Sequence, residues 1–125
     1  GRCISLEPNA PGYVMDRARV NATLGEFEKA LMDYDAAIRL NPMHPEMHYL
    51  RGHALVKLDR VAEAVKAYDM AIRLNPAFAE AFRFRGAAKT HLKDRDGACD
   101  DFRQASELGD LEAKAYWEKN CNPTK

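Results

Sequence analysis

An excess of charge of one sign is missing from this sequence of 125 residues: 19 lysines and arginines stand against 19 aspartates and glutamates. A nucleic-acid binder normally carries a basic surplus, so the balance argues against that class of partner. Long hydrophobic runs are missing too. No apolar stretch approaches the roughly 18 residues that read as a membrane-spanning helix, and no secretory leader is evident. Serine is scarce, with only Ser5 and Ser106, and neither stands in a nucleophile turn. No strand is evident, so no glycine-rich loop follows one, and the carboxylates are spread over helix faces rather than paired across a cleft. The reading is therefore a non-catalytic chain that needs no cofactor. What is present is a folded composition, 46% hydrophobic and 30% charged, too apolar for disorder and sized for one domain or a short run of repeats. The opening Gly1-Arg2 in place of methionine suggests a fragment or a processed form.

The chain is organised by a period. Ala30, Ala64 and Ala98 lie 34 apart, as do Ala37, Ala71 and Ala105, then Leu24, Leu58 and Leu92, and Leu40, Leu74 and Leu108. Tyr34, Tyr68 and Phe102 keep the same register. Residues 11–44 laid on 45–78 give 12 identities, and 45–78 on 79–112 give 8, where unrelated segments would share roughly two. Each unit reads as two helices. Pro45 can open a helix at its first position, where its missing amide hydrogen costs nothing. The first helix runs to about Leu58, Asp59-Arg60 turns, and a second helix runs to about Leu74. Asn75-Pro76 ends it, as Asn41-Pro42 ends its predecessor, because proline disfavours a helical conformation in the residue before it. Neither helix can bury its apolar stripe alone, so successive hairpins must stack. The small residues Ala18, Gly52 and Gly86, midway along the first helices, permit close approach of backbones.

Small residue, alanine, aromatic, alanine and proline at a spacing of 34 resemble the tetratricopeptide repeat over residues 11–112. That resemblance implies an all-α, right-handed superhelix of three helix hairpins, at 11–44, 45–78 and 79–112. Residues 1–10 read as the stump of a preceding repeat, since Leu6 and Pro8 fall in register with Leu40 and Pro42. A final capping helix is expected from Leu111 to Cys121, with Leu111, Ala115, Tyr116 and Cys121 on its apolar side, and the division into units assigns 113–125 to the capping helix and tail.

In this family the first helices line a concave groove that binds an extended peptide or a partner helix. Carried onto this chain, the groove positions are Met15, Asp16, Arg19 and Thr23, then Tyr49, Leu50, His53 and Lys57, then Arg83, Phe84, Ala87 and His91. Tyrosine and arginine are enriched at binding hot spots, and a ligand with an apolar side chain and an acidic group suits this mixture. Tyr49, His53, Arg83 and Phe84 are the foremost candidates for contact. The family's clamp for the terminal carboxylate of chaperone tails uses two lysines, two asparagines and an arginine. Its positions fall here on Met15, Arg19, Leu50, Glu80 and Phe84, and Glu80 would repel a carboxylate, so that clamp is not expected.

Arg17, Arg51 and Arg85 stand where the family more often has leucine. Either each pairs with a neighbouring carboxylate, with Asp33, Asp35, Asp69 and Asp101 as candidates, or they form a ladder facing an acidic ligand. His44, His48 and His53 cluster in sequence, but His48 and His53 are five apart on a helix and nothing completes a metal coordination set. Asn21-Ala22-Thr23 spells a glycosylation sequon inside an expected helix, where chance explains it.

Three cysteines leave an odd one. Cys3 replaces a small helix-packing residue and reads as a buried hydrophobe. In the last hairpin, which turns near Gly109-Asp110, Cys99 and Cys121 fall at equal height and within reach of a disulfide. The segment from Gly97 to Cys121 also resembles the C-terminal end of many bacterial repeat proteins. Two readings stay open: a disulfide clamping the cap in an oxidising compartment such as the periplasm, or reduced, packed thiols in the cytoplasm. The function read from all this is a scaffold for a protein or peptide. The alternative is an assembly module that self-associates, or continues a longer array, through the N-terminal edge around Ile4 and Leu6 or through the convex face.

Overall fold

A computed structural model of the chain describes residues 24–122. The segment expected to form the first helix of the first repeat lies outside the described residues, and with it Met15, Asp16, Arg17, Ala18, Arg19, Thr23 and the sequon. The same holds for residues 1–10, including Cys3, Ile4 and Leu6. The described residues form six helices and no strand: α1 (Phe27–Leu40), α2 (Pro45–Lys57), α3 (Val61–Leu74), α4 (Ala79–His91), α5 (Arg95–Glu107) and α6 (Leu111–Asn120). Each packs chiefly on the helix before it and the helix after it. The result is a solenoid of stacked helix hairpins.

The turns explain the element boundaries. Within each hairpin the chain passes through the left-handed region once, at Gly25, Asp59 and Lys93, with φ of 81°, 62° and 67°. These three positions are 34 apart. At the second and third of them the amide two residues past the cap returns to the helix, Arg60 N–H to Leu55 O and Asp94 N–H to Lys89 O, which closes a Schellman motif. Between hairpins the turn is different. Asn41 and Asn75 each use the side-chain oxygen to accept from the amide two residues on, at Met43 and Ala77, and proline in between forbids a continued helix. Pro45 then stands in the first turn of α2.

Packing follows the period. Ala30, Ala64 and Ala98, together with Ala37, Ala71 and Ala105, are buried to within 2% of full. Tyr34, Tyr68 and Phe102 fill the space beside them. A methyl group on Gly52 would meet the Tyr68 ring at 2.6 Å, and one on Gly86 would meet Phe102 at 3.2 Å. The absent side chains of the first helices are thus what admit the aromatic rings of the second. These contacts join α1–α4 into one apolar cluster and leave a second, smaller one around Ala98, Phe102, Ala105 and Ala113 with Phe82 and Trp117 on its flanks.

Two of the three unusual arginines sit at the seams between hairpins, engaged with carboxylates. Arg51 Nε donates to Asp35 of the preceding hairpin. Arg85 does more: its guanidinium takes Asp69 of the preceding hairpin at 2.6 Å and Asp101 of its own at 2.6 and 2.9 Å. The ladder facing a ligand is therefore not what these two side chains form; they staple neighbouring units.

The cap departs from expectation in one respect. Leu111 is 77% exposed and Ala115 is exposed, whereas Ala113 is fully buried and Trp117 packs beside it. The cause lies in the turn. No Asn-Pro follows α5; instead Gly109 takes φ 102° and Asp110 N–H returns to Ala105 O. This is the tight turn used inside hairpins. It starts α6 at Leu111, two residues earlier than the period would place it, so the buried positions move from 115 to 113. Asp110 caps the new helix by accepting from Ala113 N–H at 3.0 Å. Tyr116 is exposed, though its ring lies 4.2 Å from that of Phe102. Cys99 and Cys121 are joined by a disulfide across the hairpin, with Cα atoms 5.7 Å apart.

Candidate functional site

Helices α2 and α4, the first helices of consecutive repeats, are equivalent under the period, so their side chains come in matched pairs. A cavity of about 460 Å³ opens between them. Its walls are Leu50 and Phe84, His53 and Ala87, and Lys57 and His91, three pairs each 34 apart. Tyr68 and Val61 of α3 form the floor, and Phe27 and Tyr34 of α1 close one side. Six of the eight groove positions expected in the second and third repeats thus share one cavity. Tyr49 and Arg83, themselves a matched pair, stand beside it.

Aromatic rings cluster around His53. His53 lies edge-on to both Phe84 and Tyr49, with ring centroids 4.4 and 4.3 Å away, and Tyr49 also meets Phe78 at 4.7 Å. Such edge contacts are favourable beyond the area they bury. Beneath His53 the Tyr68 hydroxyl sits 2.6 Å from Nδ1. Burial first, and the cations Arg83 and Lys57 second, lower the His53 pKa to about 4, so the ring is neutral near pH 7. Tyr49 is pushed up to about 12, chiefly by burial and then by the carboxylate of Glu80, and stays protonated. Burial raises Tyr68 as well. The Tyr68 proton needs an acceptor, and Nδ1 is within reach; that assigns the His53 proton to Nε2.

Arg83 is not free. Its Nε donates to Asp110 at 2.8 Å and its Nη1 to Glu112 at 3.0 Å, while the guanidinium lies 4.5 Å over the Phe84 ring. It ties α4 to the cap. A second, shallower hollow of about 290 Å³ continues from there, lined by Arg83, Ala87, Thr90, Phe102, Glu112 and Tyr116. The sequence reading did not include Tyr116 or Glu112 in the groove. Their part depends on the two-residue advance of α6, which period counting alone misses. The Tyr68 hydroxyl was missed as well, since it was read as core; its 15-residue separation from His53 on the facing helix was the available signal.

At the described positions where the family's carboxylate clamp would sit, Leu50 and Phe84 are apolar cavity walls and Glu80 is exposed. Among the described residues no group of three histidine, cysteine, aspartate or glutamate side chains is placed to hold a metal. His48 donates from Nε2 to the Pro42 carbonyl at 3.0 Å, and His53 is engaged as above. No helix among the described residues is long and apolar enough to cross a membrane.

A family model described as tetratricopeptide repeat matches residues 15–77 and again 49–113. No curated protein sequence matches the chain. Among solved structures, the second such domain of human RPAP3, in complex with the HSP70 peptide SGPTIEEVD, is similar at 27% identity. It has a TM-score of 0.80 and covers 88% of this chain and 97% of that one. The second such domain of Spaghetti (RPAP3), bound to the HSP90 peptide SRMEEVD, is similar at 25% identity and TM-score 0.77, covering 86% and 99%. The corresponding domain of Arabidopsis OM64 superposes with a TM-score of 0.84 at 23% identity, covering 88% and 93%.

Proposed function

The chain belongs to the tetratricopeptide repeat family, and from that premise we propose that it is a protein-interaction scaffold holding a peptide or partner segment in the trough between α2, α4 and α6. The observation that carries the reading is the cavity of about 460 Å³ walled by three pairs of residues at the repeat spacing. Its size is that of pockets that bury small ligands, and its lining is mostly apolar with few polar groups. The similar domains of RPAP3 are held with peptides, which supports a peptide as the occupant class. The clamp positions argue for a different recognition chemistry from a terminal carboxylate, because Leu50, Glu80 and Phe84 supply no cation. The reading assigns no catalysis to the chain. The disulfide suits an oxidising compartment.

The test is a photo-cross-linking residue placed at Ala87, which is exposed and lines the cavity, and in parallel at Met32, which is 70% exposed on α1 and lines none of these cavities. Capture of a partner from position 87 and not from 32 is the expected result. Capture from 32 alone would overturn the trough reading. Light scattering over a range of concentrations separates the assembly alternative, since capture from 87 is expected from a monomer.

A further inference from the structure

We infer that the cavity between α2 and α4 selects an uncharged, extended segment of a partner chain, with two apolar side chains in the cavity and a backbone carbonyl between them accepting from His53 Nε2–H. This rests on the trough reading and adds the chemistry of the ligand.

Charge is the first argument. Among the described residues, Lys57, Asp59, His53 and His91 are the lysine, carboxylate and histidine groups that line the cavity. Lys57 and Asp59 cancel, and His91 lies 4.0 Å from the Asp59 carboxylate. Arg83, the other described cation acting on His53, is already paired with Asp110 and Glu112. The site therefore offers a ligand no net charge, and an acidic group gains nothing there that water does not give it. Shape is the second. Leu50, Ala54, Tyr68, Phe84 and Ala88 make a floor and walls without a charge. Alternate side chains of an extended strand share one face at a rise of about 3.3 Å per residue, so a pair two apart enters together. Hydrogen bonding is the third. The Tyr68 hydroxyl engages no described group other than His53 Nδ1, and donation of its proton there puts the ring's own proton on Nε2. His53 itself lines the cavity, and its hydrogen bond to Tyr68 is made through Nδ1, which leaves Nε2 for a ligand. A neutral ring that donates there matches a carbonyl; a carboxylate would ask for the charge that burial withholds.

Proton–nitrogen correlation spectra of the labelled protein test this with synthetic hexapeptides. The first probe is acetylated and amidated, with leucine at its third and fifth positions and serine elsewhere. The second replaces both leucines with asparagine, and the third is the first with a free C-terminal carboxylate. The leucine peptide is expected to shift the amides of Leu50, His53, Phe84 and Ala88. The asparagine peptide should bind at least tenfold more weakly, and freeing the carboxylate should change affinity less than threefold. A tenfold gain from the free carboxylate, or equal binding of the asparagine peptide, overturns the inference. His53→Phe should weaken the leucine peptide about tenfold while His53→Gln, which keeps a donor, stays within threefold; equal binding by all three proteins removes the carbonyl contact. The imidazole nitrogen shifts should report a proton on Nε2. Should position 87 capture a partner while the leucine peptide leaves the cavity amides unmoved, the inference fails and the trough reading stands. Absence of both signals sinks the two together.

Discussion

At the scale of single residues, the two described stapling arginines are alike in sequence and unlike in consequence. Arg85 faces Asp101, whose side chain is only 3% exposed, whereas Arg51 faces Asp35 at 39%. Removing one partner of a buried pair strands a desolvated charge, and Lys89, 3.3 Å from Asp101, offsets only part of it. Arg85→Met is therefore expected to lower unfolding free energy by about 3 kcal/mol, and Arg51→Met by about 0.5 kcal/mol. Urea titration of the two variants checks the contrast, and equal losses would refute it. His53 gives a pH signature. Its folded pKa of about 4 lies below the ordinary 6.5, so between these values the unfolded chain holds more protons than the folded one. Stability contributed by the neutral ring is complete above pH 6.5 and is lost as pH falls toward 4. Chemical denaturation at intervals across that window should show a steeper decline for the native protein than for His53→Gln. Parallel curves would mean that the ring carries a proton in the fold.

At the scale of elements, the left-handed turn residues carry a testable asymmetry. Asp59 and Lys93 occupy the same conformation that glycine takes at position 25. Aspartate tolerates it through its short polar side chain, but lysine has no such relief. Lys93→Gly is expected to raise stability by roughly 0.5 kcal/mol, the strain relieved exceeding the added freedom of the unfolded chain, and Asp59→Gly should gain less; thermal unfolding of both variants decides. These helices were largely legible in the sequence because their signals are local. Proline at position 45, Asn-Pro at 41–42 and 75–76, and glycine opposite an aromatic one helix away all act within a turn or a hairpin. The start of α6 at Leu111, after a turn at Gly109-Asp110, was legible as well. Its buried face was not: the period extrapolates to Ala115, while the tight turn at Gly109 puts Ala113 inward instead. Arg83 was read as a candidate ligand contact, and its ion pairs with Asp110 and Glu112 were not foreseen, because both partners lie on the cap rather than on a neighbouring repeat. The cavity positions of α2 and α4 were legible, since both helices follow the period faithfully, whereas the tautomer of His53 depended on a core tyrosine with no sequence mark of a polar role.

At the scale of the whole molecule, stability in a chain whose helices touch mainly their neighbours is a sum of unit and interface contributions, so damage stays local. The bond between Cys99 and Cys121 closes a loop with a sequence separation of 22 at the edge of the array. Its removal by Cys121→Ser should cost about 3 kcal/mol of cap stability, read through the fluorescence of Trp117, the lone tryptophan. Amide exchange in α2 and α3, which belong to the other apolar cluster, should stay within a few-fold of native. Uniform loss of protection across all six helices would show instead that the molecule unfolds as one block.

The early start of α6 has a practical consequence for anyone wishing to lengthen this solenoid. A consensus unit spliced after the cap by counting multiples of 34 would arrive rotated by two positions, presenting charged side chains to the surface meant to receive alanine. Splicing must instead restart its numbering at Ala113, with Tyr116 treated as the counterpart of Phe84, or else restore an Asn-Pro junction in place of Gly109-Asp110 before any extension is attempted.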